Sequence, residues 1–123
     1  MYKVNHSITF SSSDLMVFMN SPFSSWMARL SVDYPDRLEG IEKDHDEMMG
    51  LLATKGGEHE TSFLEELKLQ YGADHVAVIN PDFSTAQQAT KEAMEKGYQV
   101  IFQAFLKRDE FAGLAHFLVR CEV

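Results

Sequence analysis

The chain has 123 residues, 45% apolar and 24% charged, and carries a net charge of −8 at neutral pH. That length holds one domain with a single core, and the composition is ordinary for a globular protein, which excludes a disordered or fibrous chain. A lone cysteine, Cys121, excludes an internal disulfide and an iron–sulfur cluster held by several thiolates of this chain, and the acidic balance argues against indiscriminate nucleic-acid binding.

Met1 to Phe10 has no apolar signal region, and no later run is long enough to span a bilayer, so the sequence predicts a cytoplasmic protein with no membrane partner. Ile8-Thr9-Phe10 reads as an extended lead-in. Ser11 and Asp14 stand at capping-box spacing and predict a short helix carrying Leu15, Phe18 and Met19. Ser21 as N-cap and Pro22 at the first helical position start a second helix. Its apolar stripe, Phe23, Trp26, Met27 and Leu30, is expected to pack into the core rather than to stack on bases. Val32 to Gly40 reads as a loop. Between Asp33 and Glu47 seven acidic residues face only Arg37 and Lys43, which predicts a solvated acidic loop and helix start.

From about Asp44 to Tyr71 the spacing predicts one long helix, stopped by Gly72. Met49, Leu52, Gly56, His59 or Glu60, Phe63, Leu67 and Tyr71 follow in steps of three and four, which keeps them on one side. A histidine and a glutamate thus stand on, or beside, the inward face of this helix. Gly56 on the same stripe costs about 1 kcal/mol relative to alanine and suggests close approach by another backbone. A break at Gly56-Gly57 would instead put His59 in the first turn of a new helix, where the dipole disfavours its protonation.

His75 to Ile79 is a short β-rich run closed by Asn80-Pro81-Asp82. Ser84 is expected to cap a helix from Thr85 to Lys96 with a small face at Ala86, Ala89 and Ala93. Two strands follow, Tyr98 to Leu106 and Phe111 to Val119, joined through Lys107-Arg108-Asp109-Glu110 as a hairpin. With the turn at Arg108-Asp109, Gln103 and His116 become diagonal neighbours on one face. The reading is still that of a strand at the last residues, which predicts that residues 1–123 form a single domain that is part of something larger. The fold class is α+β: N-terminal helices, a long central helix and a small sheet containing an antiparallel hairpin.

Several pieces occur in a recognisable order. They are Ser-Ser-Asp-Leu opening a helix, a Ser-Pro-Phe helix start, Gly-Gly-Glu-His-Glu on the long helix, an Ala-rich helix, Val-Ile-Phe-Gln-Ala, and Gly-Leu-Ala-His-Phe-Leu-Val-Arg. In this the chain resembles the N-terminal part of the RecB-like nucleases of the PD-(D/E)XK superfamily, from about Ile8 to Glu122. The resemblance implies an incomplete restriction-endonuclease-like core and hydrolysis of DNA phosphodiesters, in which divalent metal ions, Mg or Mn, activate water and neutralise phosphate charge. It implies a metal-ligand role for His59. The strand motif normally reads Gly-x-Ala-Asp-Phe, and its metal-binding aspartate is replaced here by His116. The acid-x-lysine strand that should follow does not occur before Val123, so the chain alone is expected not to cut DNA. Ser21 stands where relatives with an iron–sulfur cluster have a cysteine, so no cluster is expected.

Each residue also has a plainer reading. His59 is either a ligand or an inward histidine satisfying a hydrogen bond. Glu60 is a supporting ligand or a helix-face acid paired with a lysine; His116 is a ligand-position relic or a packing residue; Gln103 contacts a substrate phosphate or steadies a neighbour. Imidazole suits zinc, nickel or copper better than magnesium, so His59, Glu60 and His116 could together form a small transition-metal module. A third reading is a non-catalytic interaction domain whose open sheet edge recruits a partner or makes a homo-oligomer. His6, His45 and His75 are expected at the surface and Cys121 as an inert buried thiol.

Overall fold

The computed structural model describes residues 1–41 and 46–122. Residues 42–45, on which the expected helix start at Asp44, part of the acidic run and the surface position of His45 fall, lie outside the described residues. The elements are those of an α+β protein. They divide into two compact units, Met1–Asp44 with Lys107–Gly113, and His45–Leu106 with Leu114–Val123.

The first unit opens on a hairpin not foreseen from the sequence. β1 (Tyr2–Val4) pairs antiparallel with β2 (Ser7–Thr9), Tyr2 opposite Thr9. Its two-residue turn needs positive φ at both central positions, which Asn5 (48°) and His6 (69°) supply. α1 (Ser12–Asn20) begins with the capping box expected of Ser11 and Asp14, and α2 (Pro22–Asp33) with Ser21 accepting from the Ser24 N–H. α2 runs two residues into the expected loop, and Pro35–Leu38 adds a 3-10 turn. Arg29 first and Lys3 second donate to the Asp33 carboxylate, which holds its pKa below the ordinary 3.8. The aromatic stripe of α2 does not pack inward as expected. Phe23 and Trp26 are 69% and 58% exposed, with ring centroids 6.1 Å apart.

In the second unit, α3 (Glu47–Tyr71) is one unbroken helix across both glycines. The Asp46 carboxylate accepts from the Met48 and Met49 N–H groups at its start. Gly56 does not mark a close approach, since a methyl group built there meets nothing within 4 Å. After a 3-10 turn at Ala73–His75 come β3 (Val76–Val78), α4 (Phe83–Glu95), β4 (Val100–Arg108) and β5 (Phe111–Val119). The sheet order is β3-β4-β5, with Val76 opposite Val100 and β3 parallel to β4. Leu64 and Leu67 of α3 pack with Val76 and Val100, and Tyr71, Phe102 and Phe117 close around them.

α4 is capped two residues before the expected Ser84. The Asp82 carboxylate accepts from both the hydroxyl and the N–H of Ser84, and these bonds hold its pKa below 3.8 against a smaller desolvation. An ionised carboxylate is the stronger acceptor, so it takes the cap and leaves Ser84 as donor. The small face of α4 is as expected at Ala86 and Ala93, but the buried residue between them is Thr90, 2% exposed. Its hydroxyl donates to the Ala86 carbonyl at 2.8 Å and accepts from the Phe105 N–H of β4 at 3.0 Å. Beyond the reach of β3, that N–H has no strand to pair with, and a helix hydroxyl takes the place of a ladder carbonyl. Among the described residues no helix is long and apolar enough to cross a membrane.

Thr90→Val should therefore lower stability by about 2 kcal/mol, because it leaves the buried Phe105 N–H unpaired with little change in volume. Urea unfolding should show this as a lower midpoint, which Thr90→Ser largely restores. Gly56→Ala should do the opposite and raise stability by about 1 kcal/mol, since the added methyl costs no contact and the helix gains propensity.

Candidate functional site

The inward stripe of α3 runs Glu60, Leu64, Leu67, Tyr71, in steps of four, three and four. That phase makes Glu60 half-buried and leaves His59, one position earlier, exposed. Of the two residues between which the sequence left the choice open, the glutamate faces in.

On the sheet side, β4 carries Gln103 with a left-handed φ of 58° in mid-strand. Regular alternation would put Gln103 on the side of Ile101 and Phe105, and Phe105 packs its ring 5.3 Å from Phe83 of α4. The left-handed residue instead turns its amide to the α3 side, where Nε2 donates to Glu60 Oε2 at 3.2 Å. The hairpin turn is Asp109-Glu110, one residue later than expected, with Asp109 taking the positive φ of 53°. This shift moves His116 from a diagonal position towards a place opposite Gln103. The Arg120 N–H bonds the Gln99 carbonyl at 2.8 Å in the same register.

His116 Nδ1 lies 3.0 Å from Glu60 Oε1. A carboxylate only accepts, so Nδ1 carries the proton of this bond whether the ring is neutral or charged. The 3.5 Å approach of Gln103 Nε2 to the same Nδ1 then sets two donors side by side and is no bond. Glu60 is thus the hub, with one oxygen on the imidazole and the other on the amide. In the neutral ring Nε2 keeps the free lone pair, and the His116 side chain is 62% exposed.

Of the four expected site residues, three meet here: Glu60, His116 and Gln103. His59 stands apart on the exposed side of α3. Among the described residues no three His, Cys, Asp or Glu side chains converge as a metal-holding group. Among the described residues Glu60 is the one carboxylate in this contact, too few hard oxygen ligands to fit Mg or Mn. Nor does the arrangement fit a three-ligand zinc site. The plain role expected for Glu60, pairing with a helix lysine, falls instead to its neighbours: Lys55 holds Glu58 and Lys68 holds Glu65. Cys121 is exposed rather than buried, because it lies past the end of β5. His6 and His75 are exposed as expected.

No protein-family model matches the chain, and neither a curated protein nor a solved structure matches it.

The geometry fixes a tautomer. In a long-range proton–nitrogen NMR spectrum of the neutral ring, His116 should show the Nδ1–H form, and Glu60→Ala should return it to the Nε2–H form usual for free imidazole. The Glu60–His116 contact itself should be worth less than about 1 kcal/mol in a double-mutant cycle, because the ring is mostly in water.

Proposed function

We propose that the chain is the N-terminal part of a RecB-like, metal-dependent DNA nuclease of the PD-(D/E)XK superfamily, inactive by itself. The observation that supports this reading is the contact between the two motifs that carry the resemblance. Glu60 of Gly-Gly-Glu-His-Glu on α3 and His116 of Gly-Leu-Ala-His-Phe on β5 stand 3.0 Å apart over a mixed three-stranded sheet. A helix acid of the first motif and the motif position of the strand are thus neighbours, while His59, to which the resemblance gives the ligand role, stays on the exposed side of α3.

In this chain the site is closed on itself. Imidazole occupies the place that an aspartate takes in the motif, and its Nδ1–H and the Gln103 amide each bond one oxygen of the Glu60 carboxylate. The chain's own residues can therefore orient an imidazole and present its Nε2 to solvent. Among the described residues they supply no pair of carboxylates in this contact. The transition-metal module would use the same contact but lacks its third member, since His59 stands on the exposed side of α3.

His116→Asp writes the motif residue back. It removes the donor from Glu60 Oε1 and sets two carboxylates side by side, a pair that needs a cation. By titration calorimetry its affinity for Mn²⁺ should exceed that of the unaltered chain at least ~10-fold, or about 1.4 kcal/mol. Equal affinities would overturn the reading. The unaltered chain should leave DNA intact in Mg²⁺ or Mn²⁺; cleavage that persists in both Glu60→Gln and His116→Ala would place the chemistry elsewhere and sink it as well.

A further inference from the structure

Gln103 does not suit its own backbone. Its φ of 58° lies in the left-handed region, where glycine is free of strain and asparagine is the best tolerated of the other residues. A long unbranched side chain gains nothing there. The position is no turn either, since it falls in the middle of β4 between the fully buried Val100 and Ala104. The strand is fixed on both sides of it. The Phe102 carbonyl accepts from the Ile79 N–H at 3.0 Å, and the Phe105 N–H goes to the Thr90 hydroxyl. A sparsely populated backbone angle in such a place points to a use for the side chain that it aims.

That side chain is used at its full length. Nε2 reaches Glu60 Oε2 at 3.2 Å, a bond with no slack. Asparagine would suit the backbone better but is one methylene shorter and falls out of reach. What the bond secures is a torsion. The last torsion of a glutamate is broad and two-fold, so α3 alone does not set the plane of the Glu60 carboxylate. With Oε2 tied to the central strand, Oε1 is left facing His116 Nδ1 at 3.0 Å. The imidazole cannot supply that order itself, because its side chain is 62% exposed and little packing holds the ring. Orientation thus runs from the backbone of β4 through the amide and the carboxylate to the ring.

We propose that Gln103 is a positioning residue for the Glu60–His116 site, held at a strained backbone angle because its amide sets the carboxylate plane and, through it, the tautomer of His116. This rests on the reading of Glu60 and His116 as one site, and it places Gln103 behind the carboxylate rather than on a substrate phosphate.

The experiment is the long-range proton–nitrogen NMR spectrum of the full chain at a pH where His116 is neutral, with urea unfolding of the same samples. Gln103→Asn relieves the left-handed backbone and loses the reach, whereas Gln103→Ala keeps the strain and loses the amide. In both variants the ratio of the Nδ1–H to the Nε2–H form of His116 should fall at least ~3-fold. The urea midpoint should be higher for Gln103→Asn than for Gln103→Ala, because only asparagine eases the backbone. A side chain that served the fold alone would move the midpoint and leave the tautomer as it was. An unchanged tautomer ratio in either variant, or a Gln103→Ala midpoint at or above that of Gln103→Asn, would overturn the proposal. The Mn²⁺ affinity of His116→Asp tests the nuclease reading separately, so the failure of one is told from the failure of the other.

Discussion

One backbone angle organises the second unit. A non-glycine residue in the left-handed region costs about 1–2 kcal/mol, and Gln103 holds it in the middle of β4, the central strand of the sheet. Above it, Val100 and Phe102 face the core beneath α3 while Ile101 faces α4. Below it, Phe105 packs against α4 and its N–H goes to Thr90. At the irregular residue itself the side chain crosses to the α3 side and binds Glu60. A regular strand would have sent that amide to the α4 side, away from Glu60. The strain is held in place by what lies on either side of it, which is how sparsely populated backbone conformations persist.

The two units solve the burial problem differently. In the second, a helix lies against the sheet through Leu64 and Leu67 while a small-residue face of α4 packs Ala86, Thr90 and Ala93 inward. In the first, Thr9 is the one buried residue among those described, and neither helix of the pair buries a side chain. A unit of some fifty residues buries too little surface to be robust without outside help. Its order rests on directional contacts instead: the capping box of Ser11 and Asp14, the two cations on Asp33, and the backbone bonds of Phe10.

What the sequence makes legible follows the range of the interaction. Caps act over three residues, so Ser11, Ser21 and the stop at Gly72 could be read directly. Helical phase acts over a few turns, so α3 emerged as one helix, but it could not choose between His59 and Glu60, which differ by only 100° around the axis. Only the stripe of Leu64 and Leu67 against the sheet decides that. A hairpin turn without Asn-Gly leaves the register open by one residue, enough to move His116 relative to Gln103. The burial of Thr90 and the exposure of Phe23 and Trp26 depend on what lies opposite them, which no local pattern encodes. The left-handed Gln103 was the least legible of all, since glutamine carries no preference for that region.

The bond from the Phe105 N–H to Thr90 has a kinetic consequence. Ladder amides of a sheet are released for hydrogen exchange when neighbouring strands part, but this one is held by a helix side chain. Its exchange rate therefore measures how often α4 lifts from the sheet, separately from how often the strands open. One amide in the middle of β4 thus serves as a clock for a sub-global motion that leaves the rest of the sheet intact.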